Sequence, residues 1–486
     1  MKKIISIILL CTLICTAFVG CGSKEIDRTK SAIYTNNFEI TSGMLSYYFN
    51  VQYIAFLNTY GDSLEQIGLD TSKPLSEQTC SFSSNTNWYD YFMDIAKERL
   101  TQCLVVSEQA EIEGKKLTKA ELKEVNDLEK ELLADAKEKD LSAEKYIANT
   151  FGDTVSLDDI IACTKMEKLT SKYYNNFIST LDTSEGAMED YFEGHKKTYC
   201  TVDYLCFSFP IETSDQLEIN KIHQKAIDLS ESNSQEAFIK SAEDFLRDYY
   251  DGNYPDLSEK EVDKMIDNAK KNMQVTNASY NGSSTASRWA FNDEREENQG
   301  VVIKNDEQNS YDVYYLTKLP TRDEHKLTTI RQILIDPADY KNTKAAKSSA
   351  NKILEQLKEA EFSKEAFIHL AAEYSTDTAT ATNGGLYEKL TKGALKDAEE
   401  IEDWLFFEGR TVGDSTVIET KAYGLHIIYV EDQGDPVWLE QVRQGFQNAR
   451  FEDYISELSD EYMVYENNNI IYKITETDQS DFEPAV

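Results

Sequence analysis

Thr328-Thr329-Ile330-Arg331-Gln332-Ile333-Leu334-Ile335 is the stretch on which the fold turns, together with Thr420 and the later run Tyr423-Gly424-Leu425-His426-Ile427-Ile428. Both are rich in β-branched side chains and bounded by turn residues, so both read as strands. Between them lie helical patterns over 343–374, a loop from Thr376 to Gly385, the segment WLFFEGRTVGD at 404–414 and a further strand, Val417 to Thr420, with the last strand running Leu425 to Val430. The same order is already present upstream. There TVDYLCFSF at 201–209 is the first strand, helical patterns run to about Asn277, and a Ser/Gly/Asn loop covers Asn277 to Ser287. RWAFNDEREENQG at 288–300 and strands at Gly300–Ile303 and Tyr311–Leu316 complete it. Trp289 falls over Trp404 and Phe291 over Phe406, which makes the two segments an internal repeat of one α/β module.

Outward from the repeat the chain reads as helix. Residues 30–198 begin with an extended piece, Ala32 to Ile40, and Thr41 is placed to cap a helix bearing Met44, Tyr47, Tyr48, Val51 and Ile54. Further helices fit Trp88–Glu113, then from Thr118-Lys119-Ala120-Glu121 to Glu138, Ser156–Leu181 and Ser184–His195, their aromatic residues forming core. After the repeat, Val437 to Tyr462 is amphipathic, with Trp438, Val442, Phe446 and Phe451 on one side, and Ile470 to Ile474 reads as a short strand. A helix this apolar needs a partner, and the N-terminal helices are the expected one. The expectation is an α+β multidomain chain divided at 1–20, 21–198, 199–322, 323–435 and 436–486.

Met1-Lys2-Lys3 followed by an apolar run from Ile4 to Val19 reads as an export signal, too short to span a bilayer comfortably. The formal charge is −37. Such a chain repels nucleic acid and anionic surfaces, and leaves cationic or unfolded polypeptides as partners. Beyond the N-terminal segment, Cys80, Cys103, Cys163, Cys200 and Cys206 are odd in number with no CxxC spacing, which argues against a disulfide framework and for buried thiols. Five histidines without metal-ligand spacing make a metal site improbable, and no motif for a cofactor is present.

Phe18-Val19-Gly20-Cys21 resembles the lipobox of bacterial lipoproteins, although Phe18 stands where Leu is usual; the resemblance implies a lipid on Cys21 and a cell-membrane location on the extracytoplasmic face, in a Gram-positive anaerobe. The second repeat copy resembles the parvulin-type peptidyl-prolyl cis-trans isomerases. The resemblance rests on Arg331-Gln332-Ile333-Leu334-Ile335, Tyr374-Ser375-Thr376-Asp377, Gly384-Gly385, Gly393-Ala394-Leu395, Trp404-Leu405-Phe406, and Thr420 with Tyr423-Gly424-Leu425-His426-Ile427-Ile428. It implies His426, Asp377 and Gln332 as the catalytic constellation. Leu395 and Ile401 are then the floor of a proline pocket, Phe406 packs behind it, and Tyr423 lies on its rim. The family has histidine where this chain has Gln332; glutamine preserves a donor and an acceptor but does not titrate, so it either keeps the geometry or marks decay.

The whole layout resembles the extracytoplasmic foldases of the PrsA and SurA kind. That implies a SurA-like helical chaperone domain built from both ends of the chain, a degenerate parvulin-like module that holds clients, and a parvulin-type isomerase domain. The expected function is a tethered foldase isomerising prolyl bonds in nascent secreted polypeptides, with clients in the groove between the N-terminal helices and the returning helix. A homodimer is compatible with that layout. The alternative is a catalytically decayed holdase chaperone, and a surface adhesin or solute receptor is a third reading.

Overall fold

Each long helix near the N-terminus starts on a side chain placed to receive its unpaired backbone N–H groups. In the computed structural model, which describes residues 27–83, 85–395 and 398–476, the short strands β1 (Ser31–Tyr34) and β2 (Glu39–Thr41) pair antiparallel and lead into α1 (Ser42–Tyr60). Thr41 accepts from Met44 N at its start. Asn87 does the same for α2 (Trp88–Ile112). Thr118 and Glu121 form a reciprocal capping box at α3 (Lys119–Glu138). Ser142 opens α4 (Ala143–Phe151), a helix the sequence reading did not assign, and Ser156 with Asp159 boxes α5 (Leu157–Ile178).

Two compact units are present, one made of 1–181 with 447–486 and the other of 182–446. In the first, α1 is buried nearly all round, including Asn50, whose amide donates to Phe151 O at 2.8 Å. That is the pattern of a central helix rather than a surface one. Trp88, at 0% exposure, sits among Phe56, Phe82, Tyr91 and Phe92, with ring centroids 5.1–5.8 Å from its own.

The second unit starts with α6 (Glu185–Gly194) and α7 (Lys196–Tyr199) and holds both repeats. The first repeat comprises β3 (Thr201–Pro210), α8 (Gln216–Ser230), α9 (Gln235–Asn253), α10 (Glu259–Met273), β4 (Gln274–Ser279), α11 (Thr285–Ala290), β5 (Gly300–Asn305) and β6 (Ser310–Thr321). The second comprises β7 (Lys326–Ile335), α12 (Thr343–Glu359), α13 (Lys364–Tyr374), β8 (Leu386–Leu390), α14 (Glu399–Leu405), β9 (Ser415–Thr420) and β10 (Gly424–Pro436). The strand orders are β4-β3-β6-β5 and β8-β7-β10-β9, antiparallel throughout, so duplication is visible in topology as well as in sequence. Strand β4 corrects the reading of a loop from Asn277. Its mostly exposed QVTNAS offers no apolar alternation to reveal it.

Alternation along β10 sorts its side chains. Leu425 and Ile427 face Ala350, Ile353, Leu357 and Phe367 of α12 and α13. Ile428 and Val430 face Ile401 and Leu405 of α14. His426 shares the second face.

From Val437 the chain runs as α15 (Val437–Tyr462). Trp438, Leu439 and Val442 pack with Met188 and Phe192 of α6 in the second unit. In the first unit, Phe451, Ile455 and Leu458 pack on Val105, Val106, Ala110 and Tyr173. Those residues are 4–7% exposed, which corrects the expectation of an open client groove lined by this helix: its apolar side is core. The expected strand Ile470–Ile474 is also corrected. Strand β11 is Tyr465–Glu466, paired with β1, and Asn468–Ile471 is the short helix α16. Ile471 and Ile474 bury in the core while their carbonyls accept from Tyr89 OH at 3.1 and 2.9 Å, so tertiary contacts override β propensity there.

Among the described residues no helix is long and apolar enough to cross a membrane. The signal segment and Cys21 lie outside the described residues.

Candidate active site

On the α14 face of the second sheet, the two central strands bring Gln332 and His426 together. Ile428 pairs with Gln332 and His426 with Leu334, so Gln332 and His426 are diagonal neighbours, within reach of long side chains. His426 Nδ1 lies 3.2 Å from Gln332 Oε1, and Gln332 Nε2 lies 3.3 Å from Asp377 Oδ2. On the other side of the ring His426 Nε2 is 3.1 Å from Thr420 Oγ1, which accepts from Tyr423 N at 3.2 Å.

These contacts, with Asp377 ionised, orient the Gln332 amide and the His426 ring, and Thr420 Oγ1 also lies 3.5 Å from Gly424 O. Ionised Asp377 only accepts, so the amide nitrogen of Gln332 faces it and Oε1 faces His426. His426 Nδ1 therefore carries the hydrogen, and Nε2 accepts from the Thr420 hydroxyl. Burial holds the imidazole down at about 4, outweighing the pull of Asp377 and Glu400, so the ring is neutral. Burial would raise Asp377, but donation from Thr380 Oγ1 (2.5 Å), Tyr387 OH (2.7 Å), Gln332 and Ala379 N outweighs it and holds the carboxyl below its ordinary range.

Backbone geometry supplies the support. Ser375 Oγ accepts from Leu334 N at 3.1 Å and Thr376 N donates to Leu334 O at 2.9 Å, which brings Asp377 to the sheet. Gln332 N donates to Gly385 O at 2.8 Å, and a Cβ on Gly385 would stand 1.8 Å from Gln332 O at φ +69°. Only glycine fits there. Behind the turn, buried Arg331 donates to Asn383 O at 2.9 Å and pairs with Glu431 at 2.6 Å.

The sequence-derived site residues are therefore divided as follows. His426, Gln332 and Asp377 form one network. Leu395 and Phe406 are half-buried members of the apolar cluster under α14, and Ile401, 2% exposed, is a buried member of that cluster rather than open floor. Tyr423 is 49% exposed with its ring 6.5 Å from that of His426, at the rim. Sequence reasoning missed Tyr387, Thr380 and the role of Thr420. Only Thr420 stood in a quoted motif, and hydroxyls on neighbouring turns carry no spacing signal. A surface depression of about 550 Å³ between Glu365, Ile368 and His369 on α13 touches none of these groups.

Register carries the comparison to the first repeat. Tyr314 pairs with Cys206 and Asp312 with Ser208, so Cys206 stands where Gln332 does and Asp312 where His426 does. Asp312 accepts from Ser310 Oγ at 2.7 Å and Asn305 Nδ2 at 3.0 Å, and burial pushes the Cys206 thiol up to about 11. No neutral imidazole is available there. The five cysteines from Cys80 to Cys206 are free thiols, all buried except the half-buried Cys206, and among the described residues no group of side chains could hold a metal.

Residues 314–434 match the family model of the PPIC-type PPIASE domain, starting within β6. Foldase protein PrsA 1 of Listeria innocua is 34% identical over 100 residues, 21% of this chain and 29% of that protein, and its Listeria monocytogenes counterpart matches equally. The chain thus spans less than a third of the length of these curated relatives. Among solved structures, the peptidylprolyl isomerase PrsA of Bacillus anthracis aligns over 52% of this chain and 100% of its own, with 11% identity and a TM-score of 0.19. Foldase protein PrsA of Streptococcus pneumoniae aligns over 46% and 68%, with 16% identity and a TM-score of 0.19. The chain is PrsA-like, and its second repeat is a parvulin domain of the PPIC type.

Proposed function

We propose that the protein is a membrane-tethered extracytoplasmic foldase whose second repeat isomerises prolyl bonds in unfolded secreted polypeptides. The observation that carries this reading is the Asp377–Gln332–His426–Thr420 chain, complete and uncharged at its imidazole end.

Prolyl rotation breaks no bond; it faces an amide resonance barrier of about 18–20 kcal/mol. A catalyst needs only to bind the twisted amide better than either planar form, in a site that withholds water from the carbonyl. No proton transfer is required, so a fixed Gln332 serves where a titrating residue would. Its hydrogen bonds to Asp377 and His426 hold the His426 ring in one tautomer on the sheet face that carries the apolar cluster of Leu395, Ile401 and Phe406. His426, 4% exposed and bonded through both ring nitrogens, acts through the surface it shapes, so it, Asp377, Gln332 and Thr420 are all positioning residues.

In the helical unit, the exposed edge of the Phe56–Tyr60–Phe82–Tyr91 cluster, where Phe82 is 45% exposed, is the surface for unfolded clients. A lipid on Cys21 would keep that surface where secreted chains emerge. Replacing Cys21 by alanine should release the protein to the medium, and continued membrane association would overturn the tether.

A protease-coupled assay on a prolyl tetrapeptide separates the enzyme from a decayed holdase, the alternative raised by Gln332 standing where the family has histidine. Catalysis by the wild type and its loss in His426→Ala support the enzyme. A wild type at the uncatalysed rate with Gln332→His gaining activity establishes decay. Suppression of client aggregation by both proteins would then identify the holdase.

A further inference from the structure

The first repeat carries an aromatic surface that its core does not absorb. Inside, Phe207 and Phe209 pack edge-on against Phe245 of α9, with centroids 5.7 and 4.7 Å away. Outward from Phe245, the ring of Tyr249 follows at 6.3 Å, and Tyr249, Tyr250 and Tyr254 stand 5.7–6.3 Å from one another at steep angles. Tyr254 is 48% exposed.

The charge around these rings is predominantly negative. Residues 248–261 contain Asp248, Asp251, Asp256, Glu259 and Glu261 against Lys260 alone. Glu212 receives the Tyr249 hydroxyl at 3.3 Å. Arg247 is committed to Asp263 at 2.8 Å. The chain's own Lys225 places its ammonium 5.2 Å over the Phe245 ring, so the cluster already takes one cation on a ring face. Ring faces carry negative charge density, and each ring contact with a Lys or Arg is worth about 0.5–1 kcal/mol at exposed sites. Carboxylates alone would be screened by salt within about 8–10 Å. Rings and carboxylates together select an extended segment rich in Lys and Arg.

We propose that the Tyr249–Tyr250–Tyr254 patch of the first repeat is a docking site for Lys- and Arg-bearing unfolded segments. It does not depend on catalysis in the second repeat. It gives the repeat that has Asp312 at the position of His426 its own contact, so that one polypeptide can be held at two points.

Fluorescence anisotropy of a labelled Lys/Ser peptide and a Glu/Ser peptide of equal length, with the full-length chain in detergent, tests this. Because the whole chain is acidic, binding of the Lys peptide alone does not decide the matter. The double variant Tyr250→Leu/Tyr254→Leu does, since it leaves every charge in place. Its affinity for the Lys peptide should fall about tenfold, while Tyr250→Phe/Tyr254→Phe, which keeps both rings, should bind like the wild type. Equal binding of the two peptides, unchanged affinity in the Leu variant, or equal loss in the Phe variant overturns the proposal. If the double Leu variant fails to fold, the single variant Tyr254→Ser, at the most exposed ring, takes its place: its affinity for the Lys peptide should fall severalfold, and an unchanged affinity overturns the proposal.

Discussion

Gln332→Glu inverts the polarity of the site with almost no change of shape. In the wild type, Gln332 Nε2 donates to Asp377 Oδ2 at 3.3 Å; in the variant a carboxylate oxygen takes its place. Two unit charges at that separation repel by about 5 kcal/mol at an effective dielectric of 20. The lost charge-assisted hydrogen bond adds about 1.5–3 kcal/mol. The site escapes by keeping one proton on the pair, which then titrates as a unit. Holding a carboxyl of ordinary value near 4.3 protonated at pH 7 costs about 1.36 kcal/mol per pH unit, which limits the loss to about 4 kcal/mol at pH 7 and about 1 kcal/mol at pH 5. The sign follows from the raised folded-state value. The native variant binds a proton that the unfolded chain releases, so stability is present below about pH 4.3 and declines as pH rises above it. Urea unfolding of wild type and variant from pH 5 to 8 should therefore show midpoints that nearly coincide at pH 5 and separate by pH 8. A separation independent of pH, or none, would refute the proton assignment.

Three further predictions follow from the same geometry. His426, neutral with its value lowered to about 4 by burial, contributes stability that is present above the ordinary value of 6.5 and lost as pH falls from there toward 4; imidazole NMR shifts should stay unchanged between pH 7 and 5.5. Gly385→Ala, whose Cβ would meet Gln332 O at 1.8 Å, should cost at least about 3 kcal/mol and abolish protection of the Gln332 amide from hydrogen exchange, whereas Gly409→Ala, with nothing within 4 Å, should leave that protection intact. Trp88→Ala, which empties a fully buried site among aromatic rings, should destabilise the helical unit by about 3–5 kcal/mol in urea unfolding.

What was legible in the sequence was what local chemistry decides. Thr41, Thr118 and Ser156 announce helix starts because a hydroxyl before an apolar period has one efficient use, and all three accept at the expected N3 backbone. The duplicated strand–helix–strand order was readable because Trp289/Trp404 and Phe291/Phe406 repeat in step, and the two sheets share one strand order. The contact between His426 and Gln332 follows from their motifs, since both lie on central strands of one sheet. Less visible were groups assembled by tertiary structure. Tyr387 reaches Asp377 because the chain turns back at Gly384–Gly385 to lay β8 beside β7, while Thr380 does so across a local three-residue turn that no motif marks. Ile470 to Ile474 reads as strand by composition, yet its carbonyls are claimed by Tyr89, far away in sequence. The apolar side of α15 could equally have lined a groove or filled a core. Only the presence of Val105, Ala110 and Tyr173 opposite it decides for core.

The account stands most directly on exchange spectroscopy of a proline-containing peptide, with and without a small amount of the protein. Cross-peaks between the cis and trans forms should appear within seconds when the wild type is added, and stay absent with His426→Ala. Exchange that remains at tens to hundreds of seconds with the wild type present would contradict it.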